Sequence, residues 1–115
     1  MLSDTISITV NGTARDYKRV LSSGPGIIRR AVITDGESLL TINHETKKGV
    51  DRALVKVQDT TTDSTTGEVT VETVHMVVAT KDGSDPSNAE KLATDGIGYF
   101  LNTAGVMSQI LFGEA

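Results

Sequence analysis

The stretch LLTINHETKKGVDRALVKVQD, residues 39–59, decides how the rest of the chain is read. On either side of a Lys47-Lys48-Gly49 bend, oily residues alternate with charged or amide-bearing ones. That period of two places side chains i and i+2 on the same face of a strand and predicts an antiparallel pair. In the first strand Leu40, Ile42 and His44 share one side and Thr41, Asn43 and Glu45 the other. In the second, Ala53, Val55 and Val57 oppose Arg52, Leu54, Lys56 and Gln58. One face of the hairpin is thus oily, and the other is polar and partly cationic.

Working outward toward the N-terminus, TISITV (5–10) also alternates, and Asn11-Gly12 separates it from TARDYKRVLS (13–22). Asn-Gly between alternating segments is the strongest short hairpin signal, because a two-residue primed turn needs positive φ at both central positions. Ser22-Ser23-Gly24-Pro25-Gly26 breaks the pattern as a turn, and IIRRAVITD (27–35) resumes as a third strand with Gly36-Glu37 as its turn. Toward the C-terminus, EVTVETVHMVVATK (68–81) is a long sixth strand rich in valine and threonine, with Val74, Met76 and Val78 on one side and Thr73, His75 and Val77 on the other. Between the fifth and sixth strands, DTTTDSTTGE (59–68) has no oily anchor and is expected to be an exposed, mobile loop.

After Lys81 the period changes. Asp85-Pro86 sets a capping carboxylate before a proline at the first helical position, and Ser87-Asn88-Ala89-Glu90 has capping-box spacing, so a helix starts near here on either account. Ala89, Leu92, Ala93, Ile97, Phe100, Leu101 and Ala104 recur at helical spacing, and Val106, Met107, Ile110 and Leu111 continue past Gly105 as a second short helix. Strands first and helices last define a single α+β domain over 1–115: about six antiparallel strands (5–81) with one or two helices (85–112) on one face.

With 11 Lys/Arg against 15 Asp/Glu the net charge is −4, which excludes a polyanion binder that works by total charge but leaves room for a local basic patch. The absence of cysteine excludes disulfides, thiolate metal sites and a cysteine nucleophile. No HExxH, GxSxG or phosphate-cradling glycine motif is present, so no catalytic residues, cofactor or metal are expected. His44, on the oily side, is expected as a packed or hydrogen-bonded histidine rather than a metal ligand. MLSDTISITV has no basic start followed by a long oily run, and no segment has the ~20 apolar residues of a membrane span, so a soluble cytosolic protein is expected.

An Asn-Gly hairpin at the N-terminus, the polar-faced TINHETKKGVDRALVKV strand pair, a small-polar loop, a long strand and a helical C-terminus together resemble the coat proteins of single-stranded RNA bacteriophages, the leviviruses. The resemblance implies an intertwined homodimer whose sheets join edge to edge and whose helices cross the partner, with Gly96, Gly98, Phe100, Leu101, Ile110 and Leu111 at the dimer interface. It implies an icosahedral shell, built in the bacterial cytoplasm, in which the bare sheet face meets single-stranded RNA. Thr41, Asn43, Lys47, Arg52, Lys56, Gln58, Thr73 and His75 would bind that RNA, and an RNA hairpin bound there would make the protein a translational repressor as well. The 59–68 loop would gather around symmetry axes of the shell. Two departures stand out: Glu45 lies on the supposed RNA face, and no tyrosine stands on the sixth strand to stack on a base. The alternative is a small cytosolic α+β module that encloses a ligand.

Overall fold

A computed structural model of the chain describes residues 2–20 and 26–115. Six antiparallel strands follow one another in a single sheet in chain order: β1 (Thr5–Val10), β2 (Thr13–Arg19), β3 (Ile27–Ile33), β4 (Gly36–Lys47), β5 (Val50–Thr62) and β6 (Val69–Lys81). Two of the connections are tight turns with left-handed backbone at both central residues, Asn11-Gly12 (φ 51° and 79°) and Lys48-Gly49 (φ 53° and 77°). These are the turns whose twist matches the flanking strands, which is why the Asn-Gly signal and the lysine bend both close two-residue hairpins. The 22–26 turn expected from the sequence lies, up to Pro25, outside the described residues.

Two expected turns are corrected. The third and fourth strands are joined at Thr34-Asp35, where Asp35 takes φ 62°, and Gly36 opens β4 rather than making the bend. Gly36 is needed there for space: a Cβ at this position would collide with the carbonyl oxygen of Thr60 on β5. The 59–68 segment is not a mobile loop. Its first four residues extend β5, as β-branched threonines favour, and the remainder is a closed turn. Asp63 N–H donates to Glu68 O (2.8 Å) and Gly67 N–H to Asp63 O (2.8 Å), while the Asp63 carboxylate accepts from the N–H groups of Thr65 (2.8 Å) and Thr66 (3.2 Å).

The sheet's register sorts every strand residue onto one of two faces. Tyr17, Ala31 and Leu40 are the buried apolar residues on one of them, the back face, with Ile6, Ile8, Ile42 and Val57 packed against them. This core exists because the β1–β2 hairpin folds over. β2 pairs with β3 only at Lys18–Arg30 and Arg19–Arg29, and beyond that it swings across the back face. Tyr17 Oη meets Ser38 Oγ of β4 at 2.9 Å, and Arg15 reaches both carboxylate oxygens of Asp59 on β5 at 3.0 Å. Arg29, only 2% exposed, is held beneath this layer: its Nε donates to the carbonyls of Ser3 (3.1 Å) and Asp4 (3.2 Å) and its Nη2 to that of Ser3 (2.6 Å).

The C-terminal segment begins with α1 (Ser87–Lys91), passes without a break through a π-helical turn (Leu92–Ile97) into α2 (Gly98–Asn102), and after extended Thr103 and left-handed Gly105 ends in α3 (Val106–Leu111). Asp85 accepts from the N–H (3.0 Å) and hydroxyl (2.6 Å) of Ser87, so the expected carboxylate does satisfy the start of the helix. Pro86 borders a cleft with His44, Ala53 and Val78, on the back face, and Ala89, Leu92, Ala93 and Ile97 line another along β6. The helices therefore do not cover their own sheet: Val55 and Val74 on the back face remain exposed, Val74 by 73%.

Candidate nucleic-acid interface

The opposite, front face is the one that carries the polar half of the β4–β5 hairpin. Register places Thr41, Lys56 and His75 in one row across β4, β5 and β6, and Leu39, Gln58 and Thr73 in the next. Asn43, Leu54 and Val77 form a third row, and Glu45, Arg52 and Ala79 a fourth. Lys47 and Lys81 end their strands on either side of Val50. All the expected RNA-binding residues thus share one face, as the alternation required. They do not form a continuous polar patch, because Leu54 and Val77 separate Arg52 from Lys56. Thr73 Oγ1 and Gln58 Oε1 are in weak contact at 3.4 Å.

Glu45 stands directly across from Arg52, so part of the repulsion it would offer a phosphate is offset locally. His44 is not packed: it is exposed on the back face, where it borders the cleft beside Pro86. Among the described residues no group of His, Asp or Glu is gathered closely enough to hold a metal ion, and no helix is long and apolar enough to cross a membrane.

Three cations on the front face were missed from sequence. Lys18 and Arg30 sit side by side where β2 meets β3, and Lys81 ends β6. Alternation in IIRRAVI requires one arginine in and the other out, but only the fold shows that Arg29 goes in. With these included, the strand residues of the front face carry six cations, Lys18, Arg30, Lys47, Arg52, Lys56 and Lys81, against three carboxylates, Asp16, Glu37 and Glu45. Back-face strand residues carry three of each, with Arg15 bound to Asp59. An acidic protein has concentrated its positive charge on one side of its sheet. Arg30 shares its charge with Glu37 at 3.5 Å and Arg52 faces Glu45, so the front-face strand cations without a carboxylate partner across the ladder are Lys18, Lys47, Lys56 and Lys81.

A second feature is the amount of surface left open. The chain exposes 8,766 Å² and has a radius of gyration of 16.4 Å. A compact monomer of its mass exposes about 6,100 Å² and one of its length has a radius near 13 Å. The surplus is concentrated in β6 and the helices. Phe100, Leu101, Ile110 and Leu111, expected at a dimer interface, are all exposed, and Phe112, which was not expected there, is 88% exposed. An added Cβ at Gly96 meets open space, whereas one at Gly98 would touch Asn102 and Ala93 of its own helical run at 3.6–3.7 Å.

A sheet of six consecutive antiparallel strands with its helices projecting past the last of them is the fold of bacteriophage coat proteins, and the chain has that fold from end to end. It aligns over 99% of its length with 97% of a chain in the virus-like particle of bacteriophage AVE019 (TM-score 0.69, 11% identity). It aligns over 91% of its length with 79% of the bacteriophage EMS014 coat protein (0.67, 17%), and over 95% with 96% of a chain in the virus-like particle of Wenzhou levi-like virus 1 (0.57, 19%). No protein-family model and no curated protein sequence matches the chain.

Proposed function

We propose that the chain is the coat protein of a single-stranded RNA bacteriophage: a structural protein, not an enzyme, that dimerises, closes into an icosahedral shell in the bacterial cytoplasm and lines its interior with the front face, against which the RNA lies. The observation that carries this reading is the segregation of charge. Non-specific RNA binding is dominated by neutralisation of phosphates, and of the two faces formed by the described strand residues the front face is the one with a cationic surplus. Thr41, Asn43, Gln58 and Thr73 add hydrogen-bonding groups between Lys47, Arg52, Lys56 and His75.

The dimer follows from the open surface. The chain exposes roughly 2,700 Å² more than a compact monomer, and obligate dimers bury ~1,000–2,500 Å² on each partner. A second copy of the chain, with its β6 beside this one and its helices over Val55 and Val74, would cover that area and leave the long β6 edge paired. Gly96, with open space beside it, is then a place where the partner approaches closely. A ligand-binding module lacks comparable support, since the apolar cleft of about 400 Å³ beside β6 is open rather than enclosed.

Repression of translation would use the same Thr41–Lys56–His75 row to hold an RNA hairpin. Packaging has the stronger basis, because β6 carries no tyrosine, phenylalanine or tryptophan to stack on a flipped base. Electron microscopy of the purified protein is expected to show closed particles that protect RNA from ribonuclease. Replacing both Arg52 and Lys56 by alanine should lower the RNA per particle while dimers stay folded. Only monomers or dimers across salt and pH, or unchanged RNA content in the double variant, would overturn the proposal.

A further inference from the structure

We infer that His75 and Lys56 form one phosphodiester site whose second charge is supplied by a proton, so that the grip on RNA is tighter in mild acid than in mild base. The inference rests on the proposed RNA-facing role of the front face and adds a mode of regulation to it. His75 and Lys56 are registered partners on adjacent strands, and their side chains leave the same face. Facing partners on an antiparallel ladder have Cβ atoms about 5 Å apart, close enough for an ammonium and an imidazolium to hold one phosphate group between them.

The surroundings leave that charge uncompensated. On β5 the front-face neighbours of Lys56 are Leu54 and Gln58, on β6 those of His75 are Thr73 and Val77, and beyond Lys56 on β4 lies Thr41. The nearest carboxylate on this face, Glu45, is two rows away and faces Arg52. Across the open edge of β6 the proposed dimer would place a second β6, whose front-face residues include no carboxylate, since Glu72 points to the back. No acid therefore competes with RNA for a protonated His75. Histidine is the one ordinary side chain that changes charge between pH 5 and 8, and the chain has two, the other, His44, being on the opposite face.

The test is filter binding of a labelled 20-nucleotide single-stranded RNA to the full-length protein at pH 5.5 and 8.0 over a range of salt. The wild type is expected to bind about tenfold more tightly at pH 5.5, the value of one charge-assisted contact, with a salt dependence steeper by ~0.7 per phosphate gained. His75→Gln should remove that pH response whatever affinity it retains; His75→Lys should bind at pH 8.0 about as the wild type does at pH 5.5; His44→Gln should keep the wild-type pH response. A flat wild-type response, or one that survives His75→Gln, overturns the inference while leaving the interface intact. If Arg52→Ala/Lys56→Ala binds RNA as well as wild type at both pH values, the interface itself is wrong, and the inference falls with it.

Discussion

Cutting the tie between Arg15 and Asp59 should undock the N-terminal hairpin. Arg15 Nη1 sits 3.0 Å from each carboxylate oxygen, and the two side chains are 16% and 26% exposed, so the pair is largely removed from water. Tyr17 Oη, 3.3 Å away, is the other partner of the same nitrogen; together with Asp59 it holds the guanidinium more firmly protonated than usual, Tyr17 contributing most. A fully exposed ion pair contributes under ~1 kcal/mol. A charge-assisted hydrogen bond shielded from water is worth ~1.5–3 kcal/mol, and removing one partner also strands the other. Asp59→Ala should therefore cost about 2–3 kcal/mol, Arg15→Ala about 2 kcal/mol, and the double substitution little more than either, with a coupling of ~1.5 kcal/mol. Urea unfolding at fixed protein concentration measures the cycle. Hydrogen exchange locates it, with protection lost in β1 and β2 before β4 and β5. Additive costs, or exchange that rises equally in β4 and β5, would refute the view that this bridge holds the hairpin down.

Other expectations follow from single contacts. Gly36→Ala should destabilise by about 3 kcal/mol, because the methyl group would meet rigid backbone at Thr60 and an overpacked site relaxes poorly; thermal unfolding reads this directly. Val74→Glu, on an exposed back-face position that the proposed dimer would cover, should shift size-exclusion profiles from dimers toward monomers or unfolded chain, since the dimer would bury a carboxylate without a partner. Hydrogen bonds from the amides of Thr65, the larger effect, and Thr66 hold the Asp63 carboxyl below the usual carboxylate range. A lowered value means that the turn is stabilised above pH ~4 and loses that contribution as pH falls below it. Amide chemical shifts of Thr65 and Thr66 should move together in that acid window in the wild type and stay put in Asp63→Asn.

Much of this architecture was readable in the residues themselves. The Asn11-Gly12 hairpin, the two faces of 39–59 and the phase of β6 came from period-two alternation and turn chemistry, and the register confirms each. What escaped was set by contacts between distant segments. DTTT reads as loop by polarity, yet its threonines have β4 to pair with. Gly36 resembles a turn glycine until Thr60 is placed against it. Arg29 and Arg30 are indistinguishable neighbours until the chain around Ser3 folds over one of them, and with that choice went Lys18 and Arg30, two of the three cations the front face adds beyond the β4–β5 hairpin and its immediate bend. By spacing alone Ile110 and Leu111 of α3 look like an ordinary core stripe; the resemblance set them at a dimer interface, and in the structure both are exposed.

The clamp on Arg29 has a consequence for how this surface can change over time. The atoms that grip the guanidinium belong to the main chain of Ser3 and Asp4, and every amino acid brings the same carbonyl oxygen. Mutations at those two codons can therefore accumulate without loosening the anchor, whereas position 29 is held to arginine. The strap over Arg29 is thus secured by its backbone, and exchanging the side chain of Ser3 leaves both carbonyl contacts on the guanidinium available.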